Sequence, residues 1–161
     1  MKLDCGYGAI GFYLAWLFLF AAIPDRALGE DRNVAKDDGL ALQGYDPVSY
    51  HTEAAPVKGR DDIVVERDGA LYRFSSEEHR QAFLEDPERY EPAFGGWCAW
   101  AMLDGEKVDV DPESYRIFDG RLLVFYDGFW GATREKWTKK SQKSGEKALY
   151  EQASRNWKRV K

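Results

Sequence analysis

Two Asp-Gly pairs, each placed between two runs of β-forming residues, constrain the fold of this chain more than any other feature. The pairs are Asp68-Gly69, between residues 63–67 and 70–74, and Asp119-Gly120, between residues 115–118 and 122–126. Asp-Gly is typical of two-residue hairpin turns, in which both residues need a positive φ. The sequence therefore predicts two antiparallel hairpins that build a small sheet. Alternation along residues 70–74 places Tyr72 and Phe74 on the buried face.

Short helices are predicted around these hairpins. Ser75 and Glu78 have the spacing of a capping box, so a helix should begin there and end near Asp86-Pro87. Apolar residues at helical spacing predict a second helix over residues 145–159 and a shorter one over residues 132–139. The predicted fold class is α+β, a small antiparallel sheet of two Asp-Gly hairpins packed by three or four short helices.

The N-terminus is typical of an export signal. Residues 10–23 form an apolar run without a charge, and Ala27-Leu28-Gly29 offers the small residues that signal peptidases require. We therefore predict a signal peptide over residues 1–29 and an exported protein, periplasmic or secreted. An uncleaved membrane anchor remains the alternative, because Lys2 is the only cation that precedes the run.

Charge divides the mature chain into an acidic body and a basic arm. Residues 30–133 hold 11 cationic and 23 anionic residues, a net charge of −12, whereas residues 134–161 hold 10 and 3, a net charge of +7. We predict a flexible lead over residues 30–39, one domain over 40–140, and a basic C-terminal helix over 141–161 that packs on the domain. The open alternative is that this arm binds weakly to an anionic surface such as a membrane. Nucleic acid is not an expected partner, because the body is acidic and no nucleic-acid-binding motif is present.

Cys98 is the only cysteine that remains if the signal peptide is removed. It is therefore a buried apolar residue, a reactive or intermolecular thiol, or a soft metal ligand. If residues 97–102 are helical, Cys98 and Met102 lie on one face, where thiolate and thioether favour Cu(I). An imidazole from His79 or His51 would complete a site for copper or zinc. The alternative is that both sulfur side chains fill core space.

Four ordered segments resemble the YHS domain family in its longer, exported bacterial branch. They are Gly44–Tyr50 (GYDPVSY), Leu71–Ser76 (LYRFSS), Phe83–Tyr90 (FLEDPERY) and Gly95–Ala101 (GGWCAWA). The short, cysteine-rich members of this family are similar to TRASH-type metal-binding modules. The positions of their ligands correspond here to Ser49, Ser75 and His79, of which only His79 suits a transition metal. Cys98 belongs to the Gly-Gly-aromatic-Cys-Ala-aromatic segment of the longer branch.

The predicted function is non-catalytic binding of a transition metal, copper first and zinc second. The predicted ligands are Cys98, His79, His51 and Met102. A partner protein is a further possible binding target, and no organic cofactor is expected, because the chain has no phosphate-binding glycine loop, no Cys-x-x-Cys pair and no haem attachment motif.

Two other functions stay open. In the first, an aromatic surface around Tyr45, Tyr50, Trp97 and Trp100 recognises a partner protein or a small apolar ligand, and the cysteine is only structural. In the second, the chain is a thiol enzyme in which a histidine activates Cys98. The enzyme is disfavoured, because no hydrolase signature surrounds the thiol.

Overall fold

The computed structural model describes residues 32–34 and 38–161. The predicted signal peptide, its cleavage site and part of the predicted flexible lead lie outside the described residues. Within the described ranges, none of the helices has both the length and the hydropathy needed to cross a bilayer.

Both predicted hairpins are confirmed. Their strands are β1 (Arg60–Arg67), β2 (Ala70–Phe74), β3 (Asp111–Phe118) and β4 (Arg121–Phe125). Asp68 and Asp119 both have a φ of 49°, and the glycines that follow them also have positive φ, as this turn requires. Each hairpin pairs within itself, so the described part contains two separate two-stranded antiparallel sheets.

The two hairpins bury their faces differently. In β2, Tyr72 and Phe74 are at most 1% exposed, as the alternation predicted, and they pack against Phe83. In β4, four consecutive side chains, those of residues 122–125, are fully buried. Alternate residues of this strand enter different apolar clusters, so β4 is covered on both faces.

Five α-helices pack around the hairpins in the described ranges, which confirms the α+β class. They are α1 (Ser49–Thr52), α2 (Glu77–Glu85), α3 (Pro87–Tyr90), α4 (Thr133–Ser144) and α5 (Glu146–Val160). The N-cap of α2 is Ser76, whose hydroxyl accepts from the His79 N–H at 3.2 Å, whereas Ser75 was predicted. His51, one of the predicted metal ligands, lies in the short helix α1.

The basic arm forms α4 and α5, which are separated by Gly145 with a φ of 81°. Trp137 and Leu149 bury their side chains in one cluster with Phe125 of β4. The Trp137 indole N–H donates to Glu146 at 2.9 Å, and the same carboxylate pairs with Arg116 of β3 at 2.5 Å. Apolar burial and this ion pair together hold the arm on the acidic body.

Candidate functional site

Cys98 has no exposed surface and is held by two polar contacts. The backbone N–H of Tyr126 donates to its sulfur at 3.3 Å. The Thr133 hydroxyl lies 3.4 Å from the sulfur and donates its own proton to the Tyr126 carbonyl at 2.7 Å. The thiol proton is therefore directed at the Thr133 oxygen. Cys98 thus connects the end of β4 to the start of α4, and its free thiol is shielded from solvent.

Met102 and Cys98 belong to different apolar clusters. Residues 97–100 form a turn that leads into a 3-10 helix over Ala101–Leu103. The continuous helix over residues 97–102, on which the predicted Cys98–Met102 pair depends, is therefore not formed. The Met102 N–H does donate to the Cys98 carbonyl at 3.0 Å. However, the Met102 side chain packs with Leu123 and Trp137, while the Cys98 side chain packs with Leu122 and Val124. The two sulfur side chains therefore lie in different apolar environments.

His79 is positioned by a buried carboxylate. Asp46 is 0% exposed, and its Oδ2 atom lies 2.6 Å from His79 Nδ1. The same oxygen accepts from the Ser75 N–H at 2.8 Å and from the Ser75 hydroxyl at 2.6 Å, and Oδ1 accepts from the Val48 N–H at 2.9 Å. This geometry requires the proton on Nδ1, so the lone pair of a neutral imidazole is on Nε2.

The Nε2 atom of His79 faces oxygen atoms. Thr52 Oγ1 lies 3.5 Å from it and Glu53 Oε1 lies 4.0 Å from it. The Thr52 hydroxyl donates to the Val48 carbonyl at 3.1 Å, which leaves its lone pairs toward the histidine. The His79 side chain is 17% exposed and Glu53 is half-exposed. One nitrogen and two oxygen atoms are therefore neighbours at the surface.

His51 points into a different environment. Its ring packs edge-on against Tyr90 at a centroid distance of 5.3 Å. The Nε2 atom is buried and has no hydrogen-bond partner among the described residues. Burial, followed by the charge of Arg89, lowers the pKa of His51. The neutral imidazole is therefore favoured here.

No cluster of three or more His, Cys, Asp or Glu side chains capable of holding a metal ion occurs among residues 32–34 and 38–161. The contacts of Cys98, His79 and His51 are with separate sets of residues. Metal binding by the four predicted ligands remains a prediction.

A cleft of about 670 Å³ opens on the surface beside the Gly-Gly-Trp-Cys segment. We call it the Leu42–Trp97 cleft, and its lining residues are Asn33, Val34, Leu40, Leu42, Gln43, Gly96, Trp97, Lys107, Asp109 and Val110. Leu40, Leu42 and Val110 are buried, whereas Gln43 and Asp109 are exposed. The cleft thus combines a buried apolar floor with a polar rim.

Hydrogen bonds hold the walls of the cleft together. Gln43 Nε2 donates to the Val110 carbonyl at 3.0 Å, and Asn33 Nδ2 donates to the Gly96 carbonyl at 3.0 Å. The Asn33 N–H also donates to the Gly95 carbonyl at 2.8 Å. These bonds join four chain segments in two pairs, residue 43 with residue 110 and residue 33 with residues 95–96, and the members of each pair are distant in sequence. The cleft is therefore preformed.

Two runs of left-handed backbone flank the same cleft. Leu42 and Gln43 both have a φ of 50°, and Phe94 has a φ of 57° ahead of Gly95 and Gly96. A residue with a side chain adopts this conformation at a cost of about 1–3 kcal/mol, so the surrounding packing must impose it. Such strain is enriched at binding sites. The Leu42–Trp97 cleft is accordingly a candidate ligand site among the described residues.

The predicted aromatic surface is not continuous. Tyr50 is 3% exposed and donates to the Pro112 carbonyl at 3.0 Å, and burial raises its pKa above the ordinary value. Tyr45 donates to Glu113 at 2.5 Å, which raises the pKa of that phenol. Of the four aromatic residues, Trp97 lines the cleft.

Sequence reasoning missed two features. The buried carboxylate of Asp46 was not predicted, although an Asp two residues before Val48 has the spacing of an Asx turn. Phe129 and Trp130 were not singled out, although glycines flank this aromatic pair.

Comparison of the chain with protein-family models, with curated proteins and with solved structures finds no match. The YHS resemblance is therefore carried by the residues of this sequence alone.

Proposed function

We propose that this chain is a non-catalytic binding module whose ligand occupies the Leu42–Trp97 cleft. The preformed cleft of about 670 Å³ is the observation that carries the proposal. Its volume is in the range of small-molecule sites, which are also mainly apolar with a few polar groups. The ligand class is a small molecule with an apolar body, matched to Leu40, Leu42 and Val110, and a polar group at the rim.

The position of Cys98 agrees with this function. Cys98 directly follows Gly96 and Trp97 of the cleft lining, and its backbone N–H donates at 3.0 Å to the carbonyl of Val108, which lies between lining residues 107 and 109. It would support the cleft rather than contact the ligand. The module therefore needs no reactive cysteine.

A blocked cleft tests the proposal. The probe is 8-anilinonaphthalene-1-sulfonate, an aromatic anion whose fluorescence rises in apolar sites. Val34 is half-buried in the cleft, and Val34→Trp would fill it, whereas Val57, 41% exposed and outside the cleft, gives the matched control Val57→Trp. We expect saturable binding of the probe by the natural chain and unchanged binding by Val57→Trp. The affinity of Val34→Trp for the probe should fall at least tenfold, which corresponds to about 1.4 kcal/mol. Equal binding by the two folded variants would refute the site.

A second candidate function is transition-metal binding at His79, with copper first and zinc second. It is favoured by the Asp46 carboxylate, because metal-binding histidines commonly donate their other ring N–H to a carboxylate. Nε2, Glu53 and the Thr52 hydroxyl would then share the ion. This site differs from the one predicted around Cys98.

Metal titration of three variants separates the two metal sites. Zn²⁺ or Cu²⁺ is titrated into each protein, and calorimetry measures the binding of the ion. A His79-centred site predicts that binding is lost in His79→Gln and kept in both His51→Gln and Cys98→Ala. Loss in Cys98→Ala alone, with the fold intact, would favour the thiolate site instead, and unchanged binding in His79→Gln would exclude the His79 site.

We further propose that the module belongs to the YHS type and acts outside the cytoplasm. The four segments quoted above and the confirmed α+β class support the family. The apolar run over residues 10–23 supports export. Mass spectrometry of the protein isolated from its natural host tests export, because a signal peptide predicts a mature N-terminus at Glu30.

A further inference from the structure

The loop between β4 and α4 presents two aromatic side chains to solvent. Phe129 is 91% and Trp130 is 76% exposed, whereas the other exposed large hydrophobic side chains lie between 37% and 44%. The two rings pack edge to face at 5.1 Å. The loop is held in place, because the Gly131 N–H donates to the Gly128 carbonyl at 2.8 Å. We call Phe129 and Trp130 the aromatic tip.

A row of lysines begins next to the aromatic tip. Lys136, Lys139, Lys140 and Lys143 are exposed and have the i, i+3, i+4, i+7 spacing of one face of α4. Lys136 Nζ donates to the Trp130 carbonyl at 3.3 Å, which places the tip at the start of this lysine row. Within the described part of the chain, none of the four ammonium groups forms an ion pair with a carboxylate. Their charge is therefore available to an external partner.

We propose that the aromatic tip and the lysine row dock the protein on an anionic lipid surface. Tryptophan and phenylalanine favour the interface between headgroups and acyl chains, and lysines are attracted to anionic headgroups. The net charge of −12 over residues 30–133 is repelled by the same surface, so the body would face away from it. This surface is separate from the Leu42–Trp97 cleft and does not depend on the function proposed for it.

Quenching of Trp130 fluorescence tests the proposal in the full chain. Vesicles of brominated phosphatidylcholine, with or without phosphatidylserine, are titrated into the natural protein and into Trp130→Phe, which keeps an aromatic ring at the tip. Trp16 of the apolar N-terminal run is present in both proteins, so the difference between them reports on position 130. We expect a quenching difference with phosphatidylserine and none in its absence.

Removal of lysines then tests the charge. The double substitution Lys139→Ala/Lys140→Ala should raise the lipid concentration for half-maximal quenching difference about 25-fold, at about fivefold per lysine. The matched control Arg60→Ala/Arg80→Ala removes two cations from the acidic body, both of them ion-paired with carboxylates, and should leave the lipid concentration for half-maximal quenching difference unchanged. No quenching difference with phosphatidylserine would overturn the proposal, as would an equal difference without it. Self-association that the lysine substitutions abolish, without quenching, would instead assign the surface to the acidic body of a second copy.

Discussion

Replacement of the buried carboxylate of Asp46 by an amide should destabilise the protein strongly. The carboxylate is 0% exposed and receives four donors, three on Oδ2 and one on Oδ1. In Asp46→Asn the amide oxygen can take the Oδ2 position, which satisfies Ser75 and His79. The amide nitrogen then faces the Val48 N–H, and two donors oppose each other.

The magnitude follows from these contacts. A buried N–H that loses its acceptor costs about 1–3 kcal/mol. Each of the three bonds at Oδ2 loses its charge assistance, and charged and neutral hydrogen bonds differ by about 1 kcal/mol. The expected loss in free energy of unfolding is therefore about 4–6 kcal/mol.

Urea unfolding followed by tryptophan fluorescence measures this loss. The matched control is Asp62→Asn, because the Asp62 carboxylate also accepts side-chain hydrogen bonds, from Arg60 at 3.0 and 2.7 Å, but is exposed. The control should unfold like the natural chain, because exposed pairs contribute little. A loss of less than about 1 kcal/mol in Asp46→Asn would refute the account of this network.

Three further outcomes are expected. Burial and the charge of Arg89 lower the pKa of His51 from 6.5, so the unfolded chain binds the proton more tightly and stability falls as pH falls below about 6.5. The variant His51→Phe should therefore show a smaller drop in Tm than the natural chain between about pH 7.5 and about pH 5. An equal drop in Tm would contradict this account. Cys98→Ala should lower the free energy of unfolding in urea by about 1–3 kcal/mol, because it leaves the Tyr126 N–H without a partner. Peptide mapping of the native chain after treatment with thiol reagents should find Cys98 unlabelled. Rapid labelling would disprove the burial of Cys98. Gly59→Ala should destabilise by about 1–3 kcal/mol, because a Cβ there would lie 2.5 Å from backbone carbon of Arg73, and a Tm equal to that of the natural chain would show that the backbone yields easily.

Local sequence was sufficient for the hairpins. Asp68-Gly69 and Asp119-Gly120 adopt the positive φ values that their turn requires. The side chains of Tyr72 and Phe74 are buried as the two-residue period predicted. These features depend on neighbours in the chain, so they can be predicted without knowledge of the fold.

The candidate site could not be predicted in the same way. The cleft joins residues 33–34, 40–43, 96–97 and 107–110, which meet only after the chain has folded. Nothing in the local sequence indicates that Leu42, Gln43 and Phe94 adopt left-handed backbone, because side chains normally oppose that conformation.

The sequence by itself determined the turns, the approximate positions of the long helices and the separation of acidic body from basic arm, because each follows from short-range sterics or from residue type. Only the tertiary structure decided the surroundings of Cys98 and His79. Burial and hydrogen-bond partners depend on packing between distant segments: Tyr126 and Thr133 enclose the thiol, and Asp46 orients the imidazole.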